Sequence, residues 1–372
     1  MKKRLYHKVL KNLQKFFGTR LKGHRLSRLK KLAALICGLI RRKRPDMRSL
    51  GSGLLQRIKA HSKEKEAKKF LDNRWIDQET YYHPYISQFI EQLMALFPKR
   101  KGITLVIDGS KMGKNYMALM VSLRLEGRGL PLMWLVRKKA KGHFRADVHL
   151  ELIKKVYQFL HPIVPASKSI KLLGDGEFDS IKLQEFCNSK SWNYVFRTSS
   201  NTVFYENNDS FQPKFIAVNV SQNFYAIPDI EFTEKRMKNV HFVLWHDPKY
   251  VDPIPLVSNL EEPLDIIQAY TERYSIECMF KDIKSTTFNI HKTRLDSEYA
   301  IANLIMLAAF ALTLLLKVGI KYKKSRHREY IHRVRNDQKI YSLITYARDF
   351  ITYCLDEGID FCFSFQFSKN SS

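Results

Sequence analysis

The chain has 372 residues, of which 64 are Lys or Arg and 36 are Asp or Glu, so its net charge is +28. Hydrophobic residues make up 45% and aromatic residues 12% of the sequence, which can build a core and excludes a wholly disordered protein. Five scattered cysteines exclude a disulfide scaffold, and no Cys-x2-Cys zinc pattern is present, so we expect a reducing, intracellular compartment. The basic surplus predicts a polyanionic partner, nucleic acid first and an acidic membrane second.

The positive charge is concentrated near the N-terminus. Residues 1–70 hold 23 Lys and Arg against three acids, a net of +20, and the remaining residues carry only +8. Apolar residues at three-to-four spacing predict a helix over 26–39, and further helices are predicted over 54–71 and about 85–97. The densest basic run is Arg41, Arg42, Lys43 and Arg44. We therefore predict a helical DNA-binding region attached to a nearly balanced body, with a solvated basic tail as the alternative.

Strands and helices alternate after residue 101. Apolar β-rich runs predict strands at residues 102–107, 116–125, 130–136, 170–173 and 192–196, and helices are predicted at 146–160 and 180–188. This order is typical of an α/β domain. Asp108 and Asp175 each follow a predicted strand as part of an Asp-Gly pair, at the edge where open α/β sheets build their sites. A helix cap or a turn is the alternative role of each aspartate.

A β-rich segment at 202–262 interrupts this alternation, and a long helix is predicted from Pro263 to about Thr287. On a continuous helix, four side chains would share an arc of about 60°: Tyr270, Arg273, Glu277 and Lys284. The stripe places a carboxylate between two cations and a phenol. Phosphodiester chemistry needs such a set, with the carboxylate on a metal and the other groups on phosphate oxygens. A solvated face with an ordinary Arg273–Glu277 pair is the alternative.

The run from Ala300 to Leu316 is the most apolar part of the chain. Its only polar residues are Asn303 and Thr313, and its 17 residues reach the short limit for crossing a bilayer. A helix that is apolar on all sides also suits the interior of a large soluble domain. We predict a buried helix and no membrane partner.

The spacing Tyr-x2-Arg-x3-Glu-x6-Lys resembles the signature of bacterial insertion-sequence DDE transposases of the insertion-sequence-four type. Asp108, in Ile-Asp-Gly-Ser, and Asp175, in Gly-Asp-Gly-Glu-Phe-Asp, look like the first and second aspartates of that family. Residues 65–73 are similar to the stretch that closes the family's N-terminal DNA-binding region. The resemblance covers roughly residues 60–320.

The resemblance implies a ribonuclease H-like α/β catalytic core that carries an inserted β-rich subdomain and follows a small basic all-α DNA-binding region. In this fold the first acid lies on the first strand, the second follows the fourth strand, and the glutamate lies on a helix after the fifth. The implied segments are a DNA-binding region at 1–98, the core at 99–201 and 263–320, the inserted subdomain at 202–262, and a C-terminal helical dimerisation region at 321–372.

The same resemblance implies the chemistry of the site. Asp108, Asp175 and Glu277 would be the catalytic residues and would hold two Mg²⁺ or Mn²⁺ ions, since oxygen ligands favour these metals. Tyr270, Arg273 and Lys284 would contact DNA phosphates. Two further candidates are weaker. Arg197, after the fifth strand, fits a phosphate contact or a surface arginine, and Trp245 fits a stacking partner for a flipped base or a core residue.

The implied function is cut-and-paste DNA transposition. Such a protein binds terminal inverted repeats of double-stranded DNA, cleaves the strands and transfers them into target DNA, and a DNA hairpin at the excised ends is a possible step. The resemblance also implies a homodimer in the synaptic complex, and we expect a cytoplasmic, nucleoid-associated location. A catalytically inactive DNA-binding relative is the alternative.

Overall fold

The computed structural model describes most of the chain. The described ranges are 2–17, 22–96, 102–139, 142–207, 209–216, 223–328, 330–331, 334–335, 338–339 and 342–363. The predicted end of the helix at 85–97 and the predicted boundary between residues 98 and 99 lie outside them.

The N-terminal region consists of short helices, as its apolar periodicity predicts. They are α1 (Lys2–Phe17), α2 (Gly23–Arg42), α3 (Met47–Gly51), α4 (Ala60–Leu71) and α5 (His83–Leu96), the last entered through a π-helical turn at Gln78–Tyr82. Helix α4 begins six residues later than predicted, because residues 52–59 form a turn and irregular backbone after α3. The Asp46 carboxylate caps α3 by accepting a hydrogen bond from the Ser49 backbone N–H at 2.9 Å.

Helix α1 is absent from the sequence-based prediction, although its pattern is visible in retrospect. Leu5, Val9 and Leu13 recur every four residues and are fully buried, while the lysines between them hide this stripe in the composition. The Arg4 guanidinium donates to the Ile359 carbonyl at 2.8 Å, and the Lys8 ammonium pairs with Asp360. The basic region is therefore packed into the same core as the rest of the chain, and its assignment as a DNA-binding module stays a prediction.

Within the described residues, a ten-stranded sheet has the order β3-β2-β1-β4-β5-β10-β9-β8-β6-β7. The strands are β1 (Gly102–Lys111), β2 (Tyr116–Leu125), β3 (Arg128–Lys138), β4 (Ser169–Gly174), β5 (Asn193–Arg197), β6 (Phe204–Glu206), β7 (Asp209–Phe211), β8 (Phe224–Phe232), β9 (Met237–Trp245) and β10 (Ile254–Ser258). Helices α6 (Ala146–Leu160) and α7 (Ile181–Ser189) lead into the parallel strands β4 and β5. This mixed α/β arrangement is consistent with the expected ribonuclease H-like core.

Strand β1 is longer than predicted, which changes the setting of the first aspartate. Asp108 lies inside β1 and pairs with Met120 of β2, so the prediction that Asp108 follows the strand is wrong. The antiparallel partner β2 extends the ladder to Lys111, whereas parallel pairing with β4 ends at Val106 and Leu173. Asp108 is therefore held by β2 at the point where β4 has already ended.

The β-rich segment extends the central sheet and does not build a sheet of its own. Strand β10 pairs antiparallel with β5, with Val257 opposite Phe196, and β9 and β8 follow outward. Phe204, Phe232 and Phe242 pack together on these strands and are buried. The classification of 202–262 as an inserted subdomain stays a prediction.

The predicted long helix after Pro263 is divided. It forms α8 (Pro263–Thr271), α9 (Tyr274–Lys281) and a π-helical turn at Asp282–Thr286. The apolar helix α10 (Glu298–Tyr322) follows, then a short hairpin of β11 (Val334–Arg335) and β12 (Gln338–Lys339), and then α11 (Leu343–Asp356). Residues 364–372 of the predicted C-terminal region lie outside the described residues.

Helix α10 forms the centre of the helical layer. Among the described residues it is the one helix that is long and apolar enough to cross a membrane by length and composition. Of its most apolar 18-residue stretch, 89% is buried inside the protein. Its polar side chains have partners: Asn303 donates to the Leu71 carbonyl at 2.8 Å, and Thr313 donates to the Ala309 carbonyl at 2.7 Å. The helix is thus a core element of this fold, and no membrane protein is indicated.

Replacement of Gly53 by Ala tests the packing of the basic region. A Cβ atom at this position would overlap the carbonyl oxygen of Ala34 in α2, and a backbone atom cannot move aside cheaply. We expect Gly53→Ala to lower the free energy of unfolding by about 2–3 kcal/mol in urea denaturation. Gly176→Ala is the matched control, because the nearest atom to its added Cβ is 4.0 Å away. Equal stability of the two variants would contradict this packing.

Candidate active site

Adjacent parallel strands bring the two aspartates to one edge of the sheet. Val106 of β1 lies opposite Leu173 of β4, and each aspartate follows two residues later. Asp175 comes directly after β4 ends at Gly174, as the sequence predicts. Helix α9, which carries Glu277, packs against β1 and β3. The three predicted acids therefore lie on neighbouring elements.

Arg273 links the first and third of these acids. Its Nη1 atom lies 3.7 Å from Asp108 Oδ2, and its Nη2 atom donates to Glu277 Oε1. The guanidinium carbon also lies 5.8 Å from the centre of the Tyr270 ring. Arg273 and Asp108 are only 17% and 16% exposed, whereas Glu277 is 43% exposed. A largely buried cation thus balances the carboxylates in this structure.

The predicted continuous helix is interrupted by a turn at Glu272 and Arg273, although both residues keep right-handed helical dihedral angles. Helix α8 ends at Thr271, and α9 begins at Tyr274. The Glu272 carboxylate accepts a hydrogen bond from Thr104 at 3.1 Å and pairs with Arg124 at 3.4 Å, so contacts with the sheet anchor the chain at the break. Tyr270, Arg273 and Glu277 contact one another at the three- and four-residue spacing that the sequence predicts.

Lys284 reaches the site from the π-helical turn. Its ammonium donates to the Ser110 hydroxyl at 3.1 Å, two residues after Asp108 on β1. Tyr270 is 8% exposed, so most of its ring belongs to the core. Burial raises the pKa of the Tyr270 phenol, and the neighbouring Arg273 and Arg197 cations oppose that rise. The phenol is therefore a neutral hydrogen-bonding group at physiological pH.

Asp108 is a buried carboxylate close to a second carboxylate, and both features change its pKa. Burial raises its pKa to about 7, and the negative charge of Asp175 adds to the rise. Arg273 and the Gly109 backbone N–H, which donates to Asp108 Oδ1 at 2.7 Å, act in the opposite direction. A set of oxygen donors that repel one another fits a hard divalent cation such as Mg²⁺. No His, Cys, Asp and Glu group in the described ranges is already arranged as a metal site, so the acids are neighbours without being a preassembled ligand set.

A cleft of about 620 Å³ opens beside Asp175. Arg197, the exposed last residue of β5, lines it, as does Lys214, which the sequence-based prediction missed. No sequence signal marks Lys214, because only the folding of residues 213–216 toward the sheet edge brings it to the cleft. Trp245 is half-buried against the core and does not line this cleft, so its base-stacking role stays a prediction.

Glu177 is a second residue whose position the sequence did not predict. Its carboxylate contacts His143 Nδ1 at 2.8 Å and His149 Nε2 at 3.2 Å and accepts the Phe144 backbone N–H. Burial would raise the pKa of Glu177, but these hydrogen bonds lower it. The Glu177 backbone N–H in turn donates to Asp175 Oδ1 at 3.1 Å. Glu177 therefore fixes the turn that presents Asp175.

The basic run lies beside the segment that follows α9. Arg41 is half-buried at the end of α2, whereas Arg42, Lys43 and Arg44 are exposed. Asn289 donates from its side chain to the Lys43 carbonyl at 3.0 Å. The assignment of these four cations to DNA binding stays a prediction.

Replacement of Asp108 by Asn tests the electrostatics without DNA. Because the folded pKa is raised, the folded protein retains a proton that the unfolded chain releases, so metal-free stability falls as the pH rises from about 4 to 7. Asn cannot ionise. We expect Asp108→Asn to gain about 2–4 kcal/mol over the wild type at pH 8 and nothing at pH 4, in urea denaturation with EDTA. Exposed Glu185→Gln is the control, and a gain that does not depend on pH would contradict the assignment.

Comparison with known proteins adds independent information. Residues 150–314 match the family model described as "Transposase DDE domain". This range includes Asp175 and Glu277, whereas Asp108 precedes it. No curated protein matches the chain.

Two solved structures of Marinitoga piezophila Argonaute resemble the chain at 13% identity. The complex with 5′ OH guide RNA gives a TM-score of 0.22 and covers 56% of this chain and 30% of that chain. The complex with 5′ OH guide RNA and target DNA gives a TM-score of 0.23 and covers 68% of this chain and 34% of that chain. The chain thus spans about a third of the length of these structures, and TM-scores this low do not define its fold. The family match to residues 150–314 supports a DDE transposase.

Proposed function

We propose that this protein is a DNA transposase of the insertion-sequence-four type. It would bind the terminal inverted repeats of an insertion sequence, cleave DNA strands and transfer them into target DNA by a cut-and-paste route. The observation that carries the proposal is the Arg273 guanidinium between Asp108 and Glu277, with Asp175 close enough to raise the Asp108 pKa. The three acids and the basic residues of the signature therefore form one electrostatic unit.

Asp108, Asp175 and Glu277 are the proposed ligands for two Mg²⁺ or Mn²⁺ ions. When bound, such ions lower the pKa of a nucleophilic water or hydroxyl and stabilise the leaving oxygen. The chain's own part is to hold three carboxylates of unequal exposure at one sheet edge. Asp108 is fixed within β1 by its ladder to β2, and Glu177 fixes the turn that carries Asp175. Glu277, which is more exposed, lies on α9.

The cations and the phenol would bind DNA phosphates. Arg273 can donate several N–H bonds, and once its carboxylate partners are engaged elsewhere it is free to hold a phosphate oxygen. Lys284 lies beside Ser110 on the same strand as Asp108, so it can contact a neighbouring phosphate. Arg197 and Lys214 line the cleft beside Asp175 and provide further positive charge.

In the proposed reaction a water molecule or a DNA 3′-hydroxyl attacks phosphorus in line with the leaving strand. The new P–O bond forms as the old one breaks, the nucleophile loses a proton, and the leaving oxygen ends as a 3′-hydroxyl. No side chain becomes bonded to DNA. The protein's contribution is to orient the phosphodiester and to exclude competing geometries.

Pairing of two transposon ends suggests a homodimer in the DNA complex, and a cytoplasmic, nucleoid-associated location suits such a protein. The alternative of a catalytically inactive DNA-binding relative is not favoured. All three acids and every residue of the Tyr-x2-Arg-x3-Glu-x6-Lys spacing are present, and Tyr270, Arg273 and Glu277 lie together with Asp108.

Glu277→Gln separates catalysis from DNA binding. We expect the variant to nick a supercoiled plasmid that carries the gene with its flanking DNA at least about 100-fold more slowly in Mg²⁺, because an amide is a poor metal ligand. Its affinity for the same DNA in EDTA should stay within about threefold of the wild type. Glu185→Gln, an exposed glutamate on α7, is the matched control.

Two outcomes would count against the proposal. Cleavage by Glu277→Gln at the wild-type rate would remove Glu277 from the catalytic residues. A wild-type protein that binds its flanking DNA but never nicks it would favour the inactive relative.

A further inference from the structure

A second cleft, of about 750 Å³, lies between the N-terminal helices and the segment after α9. Arg44 and Lys68 contribute to one wall, and Lys292 and Arg294 contribute to the other. All four side chains are exposed. The cleft therefore joins cations that are more than 200 positions apart in the sequence.

The charge of this cleft is not balanced from within the protein. None of the four cations forms an ion pair within the described part of the chain, although nearby cations do: Lys31 pairs with Glu66 and Arg48 with Glu64. One acid, Asp46, lines the cleft. Its carboxylate is occupied in capping α3, where it accepts from the Ser49 backbone N–H at 2.9 Å and hydroxyl at 2.8 Å. Four cations that line one cleft in this way give it a positive potential, which attracts an external anion.

The two walls are held together before any ligand binds. The Asn289 side chain, which lines the cleft, donates to the Lys43 carbonyl at 3.0 Å. Lys43 adopts a left-handed conformation, with φ of 58°, which ends α2 and turns the chain toward Arg44. Pro45 is buried in the same turn. This arrangement fixes the spacing of the cations and lowers the entropic cost of binding a polyanion.

The cleft lies on the active-site side of the sheet. An added Cβ at Gly113, in the turn after β1, would lie 3.0 Å from Thr293 Cγ2, and the Tyr116 hydroxyl donates to Asp296 at 3.1 Å. The same segment contacts the π-helical turn, since His291 Nδ1 bonds to the Lys284 carbonyl. Lys284 itself donates to Ser110, two residues after Asp108 in the strand. A ligand in the cleft can therefore continue toward the carboxylates.

We propose that this cleft binds backbone phosphates of the same duplex DNA whose strand reaches the carboxylates. The proposal rests on the proposed function, and it adds Lys68, Lys292 and Arg294 as phosphate-binding residues. A duplex carries regularly spaced phosphates and can extend from the cleft to the acids, whereas a lone phosphate would leave most of the four cations unused. A membrane surface is less suitable, because a flat sheet of headgroups cannot enter a cleft.

The test compares two variants that each remove two positive charges from exposed sites. Lys292→Ala with Arg294→Ala alters the cleft, and Lys154→Ala with Lys235→Ala alters lysines outside it. A 30-base-pair fluorescent duplex, taken from the flanking DNA, is titrated with full-length protein in EDTA between 50 and 300 mM NaCl. We expect the cleft variant to lower the slope of log affinity against log salt by about two, and its affinity by one to two orders of magnitude at 0.1 M salt. The control should change neither quantity by as much.

Single substitutions on the N-terminal wall and alternative ligands complete the test. Arg44→Ala and Lys68→Ala should each lower the slope by about one, which shows that both walls take part. An unchanged slope in the double variant would overturn the cleft proposal while leaving the proposed function intact. Loss of binding to anionic phosphatidylglycerol vesicles or to an RNA duplex, without a change on DNA, would also overturn it. Absence of DNA binding by the wild type would instead contradict the proposed function. If thermal melting shows that an alanine variant is unfolded, Lys292→Gln with Arg294→Gln gives the same comparison.

Discussion

Repulsion among carboxylates at one sheet edge is the constraint around which the rest of the structure is arranged. Parallel pairing of β1 with β4 sets Asp108 and Asp175 side by side, and burial makes their negative charge costly. In the absence of another cation, Arg273 supplies part of the missing positive charge by contacting Asp108 and Glu277. The negative charge of the candidate site is therefore only partly balanced within the protein, a feature that is common at functional sites.

The break between α8 and α9 follows from the same constraint. Glu272 turns toward Thr104 and Arg124 on the sheet, and this anchors the point at which Arg273 starts a new helix above the acids. The π-helical turn then directs Lys284 to Ser110. Side chains of the candidate site thus depend partly on irregular backbone, which is common at functional sites.

Packing around α10 explains how a strongly basic region becomes part of the catalytic unit. The buried Lys317 ammonium donates to the Tyr85 hydroxyl at 3.2 Å and lies 5.0 Å from the centre of the Phe16 ring, so α1, α5 and α10 meet at one cation. Burial lowers the pKa of Lys317 to about 7. Because these helices pack as one core, cations from the N-terminal region and from the segment after α9 can line a single cleft.

The sequence by itself determined the order of strands and helices in the core, the bounds of α6, the burial of the 300–316 run and the identity of the candidate acids and cations. Each depends on local periodicity or on residue type, which a single element already contains. Only the tertiary structure decided that the β-rich segment joins the central sheet and that a turn interrupts the signature helix. It also decided that Glu177 contacts two histidines and that Lys214 and Lys292 line clefts. These features arise from contacts between distant parts of the chain, such as Thr104 with Glu272. Periodicity assigns faces within an element, but it does not specify which other element each face will meet.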